Sequence, residues 1–163
     1  MATRSLLVGT GGWAENHLRA YAECENVDVV GLVGHRNRDR LAALANVYSV
    51  AETFLDLGEA LSRTEPDMLD IACNPHFRLP GVRDAAQRGV KLVNLEKPMA
   101  LGPSEAYEIE RLCREHEMLL TVNHQKKYRP AWRRAKEMIQ AGELGQVEHI
   151  RATCQGNLLE QGT

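Results

Sequence analysis

What this sequence lacks narrows it first. No apolar run approaches the roughly 20 residues that a membrane-spanning helix needs, so no transmembrane segment is expected. The apolar run near the N-terminus is only Leu6-Leu7-Val8, too short for the core of a secretion signal. An excess of charge of one sign is also missing: 20 Lys and Arg face 22 Asp and Glu, a formal net charge of −2. Such a balance offers no basic field to a nucleic acid. Cysteine is sparse and scattered. Cys24, Cys73, Cys113 and Cys154 stand far apart with no C-x-x-C pair, which argues against a disulfide framework and against a zinc site. No metal centre, internal repeat or low-complexity segment is expected. The composition fits a soluble, cytoplasmic protein with no nucleic-acid or membrane partner. At 163 residues the chain is near the size of one ordinary domain and can bury roughly 70% of its unfolded surface.

What is present is a concentration of glycine at one place. Leu6-Leu7-Val8-Gly9-Thr10-Gly11-Gly12-Trp13-Ala14 reads as a strand, a tight turn and the start of a helix. This G-x-G-x-x-A arrangement is the opening of a dinucleotide-binding unit. Gly9 lets the chain turn out of the strand, Gly11 lets bare backbone approach a pyrophosphate, and Ala14 keeps the helix close to the sheet. The phosphates then meet the free N–H groups and positive dipole end of the helix.

Beyond this turn, strand and helix patterns alternate. Strands are expected at 5–8, 27–33, 47–50, 68–73, 90–95 and 119–122, with a weaker seventh at 146–154. Helices are expected at 13–24, 37–45, 56–63, 80–88, 103–116 and 130–141. Gly89 and Gly142 act as helix stops, and Pro103 suits a first turn. The alternation argues an α/β fold, a doubly wound parallel sheet (Rossmann) with its ligand at the carboxyl ends of the strands. The composition shifts after Gly142, where the alternation gives way to a strand and a polar tail. The expected division is a cofactor-binding domain over 1–123 and, over 124–163, a connecting segment, helix and first strand of an incomplete second α/β domain.

Four strand ends carry candidate chemistry. The second ends Val33-Gly34-His35-Arg36-Asn37-Arg38, with no carboxylate to accept the ribose hydroxyls of NAD. Arg36, beside His35, offers a forked partner for a 2′-phosphate, which favours NADP over NAD. The fourth leads into Cys73-Asn74-Pro75-His76-Phe77-Arg78, candidates for contacts near the nicotinamide. The fifth ends in Glu96-Lys97-Pro98. The ammonium of Lys97 could bind ribose and substrate hydroxyls and, with a depressed pKa, move a proton. The sixth runs into Asn123-His124-Gln125-Lys126-Lys127-Tyr128-Arg129-Pro130, where His124 and Tyr128 are candidates for substrate contacts.

Together the glycine loop, Glu96-Lys97-Pro98 and the segment 123–130 resemble the Gfo/Idh/MocA family, that of glucose–fructose oxidoreductase and inositol dehydrogenase. The resemblance covers nearly the whole chain. It implies a cofactor lobe followed by a second α/β lobe with an open sheet that supplies substrate contacts and an oligomer interface. Lys97 would be the active-site lysine. An acid and a histidine in a D-x-G-x-H-like segment complete the site in relatives. Residues 158–163 look like its opening, with Glu160 as the acid and the histidine falling beyond Thr163, so the chain would be a fragment and weakly active or inactive alone. One departure is local: relatives commonly read T-P-N-x-x-H where this chain has Cys73 to Arg78, with the proline displaced and Arg78 at the second histidine position.

The function expected is therefore the cofactor lobe of an NADP-dependent oxidoreductase, with NAD as the alternative cofactor. It would transfer a hydride between nicotinamide and a carbinol carbon of a sugar, cyclitol or similar polyol. The rival is a non-catalytic module that senses NADP(H) and acts through a protein partner, using 146–154 as an edge strand.

Overall fold

The computed structural model describes residues 1–34 and 36–153. Contacts divide the chain into two units, Met1–His124 and Gln125–Thr163.

In the first unit, β1 (Thr3–Val8), β2 (Val27–Val33), β3 (Thr53–Phe54), β4 (Met68–Ile71), β5 (Leu92–Glu96) and β6 (Leu119–Asn123) form one sheet in the order β3-β2-β1-β4-β5-β6. Every pairing is parallel. Parallel neighbours need a crossover, and the helices supply it: α1 (Gly12–Ala22), α2 (Arg38–Val47), α3 (Leu57–Thr64), α4 (Arg78–Gln87) and α5 (Pro103–Glu115). Strand order reverses between β1 and β4, which opens a crevice at their carboxyl ends.

Both faces of the central strands β1 and β4 are buried, so these strands read as apolar runs rather than alternating ones. Leu7 and Leu32 pack with Ala14 and Leu18 of α1 and with Leu41 and Leu44 of α2. Leu6, Leu69, Ile71 and Leu95 pack on the opposite face with Leu61, Val82 and Ile109. Each such fully buried leucine or isoleucine contributes roughly 1.5–3 kcal/mol relative to exposure.

The expected third strand at 47–50 does not form. Asn37 caps α2, its Oδ1 accepting from the Arg40 N–H at 2.8 Å, and the helix continues through Val47. Ser49 then takes a left-handed φ of 55°, the Val50 N–H returns to the Ala45 carbonyl at 2.9 Å, and buried Val50 packs with Leu41 and Leu44. This is the Schellman ending of a helix, whose apolar anchor mimics a strand in sequence. The strand itself comes later, pairing Leu32 with Thr53 and Val33 with Phe54. The helix expected to start at Pro80 starts at Arg78, after a 3₁₀ turn at Pro75–Phe77. Gly89 and Gly142 end their helices at positive φ, 74° and 72°.

The second unit holds a 3₁₀ turn at Gln125–Tyr128 and α6 (Pro130–Gln140). The seventh strand is absent over 146–153, the described part of its range. A strand needs a neighbour to take its backbone hydrogen bonds, and none is provided there among the described residues. Val147 and Ile150 remain exposed.

Candidate cofactor-binding site

A cleft of about 700 Å³ opens at the carboxyl ends of β1, β2, β4 and β5. Its floor is the turn from β1 into α1. Gly9 has φ +132°, and a Cβ there would stand 2.6 Å from the Ala72 carbonyl oxygen. Only glycine lets β1 leave the sheet so close to the end of β4. Gly11 and Gly12 are a different case: a Cβ on either would meet nothing within 4 Å. The protein's own packing does not demand glycine there, so what these residues preserve is room in the cleft. Gly11 is the N-cap of α1 and provides no side-chain cap, so the first N–H groups of the helix stay available to an anion. The bare turn, the uncapped helix and the free space together fit a dinucleotide's pyrophosphate.

Two walls rise from this floor. On the β2 side, Gly34 and Arg36 line the cleft, and no ion pair holds Arg36 among the described residues. His35 lies outside the described residues. On the other side stand Cys73, Asn74, Pro75, Arg78, Glu96 and Lys97. The Asn74 side chain accepts from the His76 N–H at 3.1 Å and starts the 3₁₀ turn, leaving His76 exposed and outside the lining. Burial pushes the Cys73 thiol up to about 11, although Arg78 pulls the other way. The Lys97–Pro98 peptide bond is cis. The Lys97 ammonium stands 5.6 Å from the Trp13 ring centroid, within cation–π range, so β5 and α1 meet across the cleft through these two side chains.

Of the residues expected in the site, Gly9, Thr10, Gly11, Gly12, Trp13, Arg36, Cys73, Asn74, Pro75, Glu96 and Lys97 line one cleft. Ala14 is wholly buried beneath it. His124 is exposed and does not line it. Tyr128 belongs to the second unit, and Glu160 falls outside the described residues.

Sequence reasoning missed a buried polar network beneath Lys97. Asp70, Asn94 and Thr121 occupy one register row across β4, β5 and β6, and Glu96 pairs with Asn123 two residues further on. Residues two apart on a strand share a face. Onto that face α1 lays His17. Its Nδ1 lies 2.7 Å from Asp70 Oδ2 and its Nε2 3.2 Å from Glu96 Oε1. The Tyr21 hydroxyl donates to Asp70 Oδ2 at 2.6 Å, and Asn94 donates to Asp70 Oδ1 at 2.9 Å. Asn123 donates to Glu96 Oε1. Burial by itself would lower the His17 pKa, but the bonds and charges of Asp70 and then Glu96 outweigh it and raise it. Arg78, 2% exposed, donates to the carbonyls of Cys73 at 3.2 Å and Lys97 at 3.4 Å, tying the end of β4 to that of β5. Burial lowers its pKa, opposed by Cys73 and Glu96. A signal for the network was present: Asp70 interrupts an apolar buried strand, and His17 and Tyr21 stand four apart on α1 beside buried Leu18.

A parallel doubly wound sheet with a glycine-rich turn at its switch point defines a dinucleotide-binding domain. The chain belongs to the Gfo/Idh/MocA family: residues 3–124 match the family described as "Oxidoreductase family, NAD-binding Rossmann fold". A 4-carboxy-2-hydroxymuconate-6-semialdehyde dehydrogenase from Sphingobium is 28% identical over 86% of this chain and 44% of its own. A D-apiose dehydrogenase from Paraburkholderia graminis is 26% identical over 87% of this chain and 37% of its own. The structure of a scyllo-inositol dehydrogenase from Lactobacillus casei, with bound NAD(H) and scyllo-inositol, superposes with a TM-score of 0.83 at 18% identity, over 89% of this chain and 43% of that one. The chain thus spans about two fifths of the length of the proteins it resembles.

Proposed function

We propose that this chain is the cofactor-binding lobe of an NADP-dependent dehydrogenase whose substrate is a sugar, cyclitol or similar polyol. The observation that carries this reading is the space over Gly11 and Gly12 at the uncapped start of α1, in a cleft whose far wall is Glu96–Lys97. Backbone N–H groups of residues 11–14 hold the diphosphate. Arg36, at the tip of β2 and with no ion pair among the described residues, holds a 2′-phosphate, and this is what selects NADP. Bound nicotinamide supplies the hydride chemistry. Lys97 steadies the reacting oxygen of the substrate and its proton, since its ammonium faces the cleft beside Trp13. Residues 124–163 begin a second lobe that furnishes the remaining substrate contacts. Relatives named for D-apiose and scyllo-inositol support the polyol class.

The test is a titration of this chain with NADPH and with NADH, followed by nicotinamide fluorescence. Tighter NADPH binding is expected. Equal or tighter NADH binding would remove the role given to Arg36, and no binding of either would remove the reading altogether.

A further inference from the structure

Lys97 is exposed at its side chain, yet its backbone is held from inside the protein. Glu96, 3% exposed, lies beneath it. Glu96 Oε2 accepts from the Lys97 N–H at 3.2 Å, while Oε1 takes the Asn123 amide and faces His17 Nε2 at 3.2 Å. The other nitrogen of the same ring faces Asp70 at 2.7 Å. Carboxylates only accept hydrogen bonds. A ring flanked by two of them satisfies both only when both its nitrogens carry protons, as an imidazolium. That single positive charge answers two buried negative ones, and a second buried positive charge, Arg78 on α4, is bound to the Cys73 and Lys97 carbonyls, with no ion pair to Glu96 among the described residues. Formally, two buried positive and two buried negative groups from α1, β4, β5 and α4 are present here.

We propose that His17 is the positioning residue for Lys97: as an imidazolium it anchors Glu96, and Glu96 fixes the backbone from which Lys97 reaches into the cleft. This rests on the active-site role proposed for Lys97. When His17 loses its proton, Nε2 becomes an acceptor for the Asn123 amide 3.0 Å away, and Glu96 Oε1 keeps only its bond from Asn123. The proton leaves to solvent; no bond other than N–H breaks. The groups facing His17 are Asp70 from β4, Glu96 from β5, Asn123 from β6 and Tyr21 from its own helix. Burial and the Asp70 charge hold the Tyr21 hydroxyl protonated well above its ordinary range, so His17 is the member that changes charge first as pH rises from neutrality.

The isotope-labelled chain is titrated from about pH 5.5 to about pH 9.5, a range that brackets an ordinary and a raised histidine pKa. NMR follows the His17 ring carbon and the backbone amides of Val93, Leu95 and Lys97, and NADPH affinity is measured in parallel. We expect His17 to titrate above about 6.5, the Lys97 amide to move with the same midpoint, and Val93 and Leu95 to stay still. NADPH binding should weaken by about tenfold over that window, the scale of one charge-assisted hydrogen bond. His17→Gln should abolish the Lys97 titration. A Lys97 amide that stays still while His17 titrates overturns the proposal, as does a His17 midpoint at or below the ordinary value. If NADPH binds at no pH, the proposed function fails, while a shared His17–Lys97 midpoint still supports the anchoring of this backbone.

Discussion

Gly9 and Ala72 approach so closely that a single methyl on Gly9 would sit 2.6 Å from the Ala72 carbonyl oxygen. The carboxyl ends of β1 and β4 are pressed together here, and the cleft begins where they part. Gly9→Ala should therefore cost stability, about 2–4 kcal/mol from a disfavoured φ and overpacking against backbone. At roughly 2–4 °C per kcal/mol for a chain of this size, Tm falls by roughly 5–15 °C. An unchanged melting curve for this variant would contradict the packing described.

Gly12→Ala should behave in the opposite way. The residue opens α1 with empty space beside it, so alanine keeps or slightly raises stability, by up to about 1 kcal/mol. NADPH affinity should fall by about tenfold or more, because the methyl displaces the phosphate from its N–H donors. Calorimetry and fluorescence titration on one preparation separate the two effects. Wild-type affinity in Gly12→Ala would mean that the phosphates lie elsewhere.

Arg36→Ala should weaken NADPH by about tenfold to a hundredfold, the scale of one or two charge-assisted hydrogen bonds. NADH affinity should not change, since it lacks the 2′-phosphate. A parallel loss for both coenzymes would show that Arg36 acts on the fold rather than on that phosphate.

Stability should depend on pH through His17. Its folded pKa is raised above the ordinary 6.5, so in the window above that value the folded state holds a proton that the unfolded chain has released. The contribution is full below about pH 6.5 and is lost as pH rises through the folded value, with a limiting slope of about 1.4 kcal/mol per pH unit for one proton. Urea midpoints taken across this window should fall with rising pH, and the fall should flatten in His17→Gln. A rise with pH, or the same slope in both proteins, counts against the buried imidazolium.

Cys73 should be slow to alkylate although it lines the cleft. Its thiol is pushed up to about 11 by burial, so little thiolate exists at mildly alkaline pH. Peptide mapping after iodoacetamide at about pH 8 should show Cys24, which is exposed, modified roughly tenfold faster or more. Faster labelling of Cys73 would refute its burial.

The order of elements was legible in the sequence because each depends on local chemistry. Buried parallel strands read as short apolar runs, Gly89 and Gly142 end helices in a conformation that disfavours other residues, and the G-x-G-x-x-A turn carries its own geometry. The same local reading misplaced the third strand, because Val47 and Val50 suit either a strand or the apolar anchor of a helix end. Only the packing of Val50 onto Leu41 and Leu44 decides between them. It also placed a strand at 146–154, where alternation was present but, over the described residues, a pairing neighbour was not.

The sequence by itself determined the glycine turn, the basic tip of β2 and the Glu96-Lys97-Pro98 strand end, since each is a contiguous stretch whose residue types dictate its chemistry. Tertiary structure alone decided what lies beneath Lys97. His17, Asp70, Glu96 and Asn123 come from one helix and three strands, between 17 and 123 in the chain. Their partnership depends on the strand order and on the register that sets Asp70 beside Asn94 and Glu96 beside Asn123. Hydrogen bonds and buried charges act over a few ångströms, and those distances exist only once the crossovers have brought these strands together.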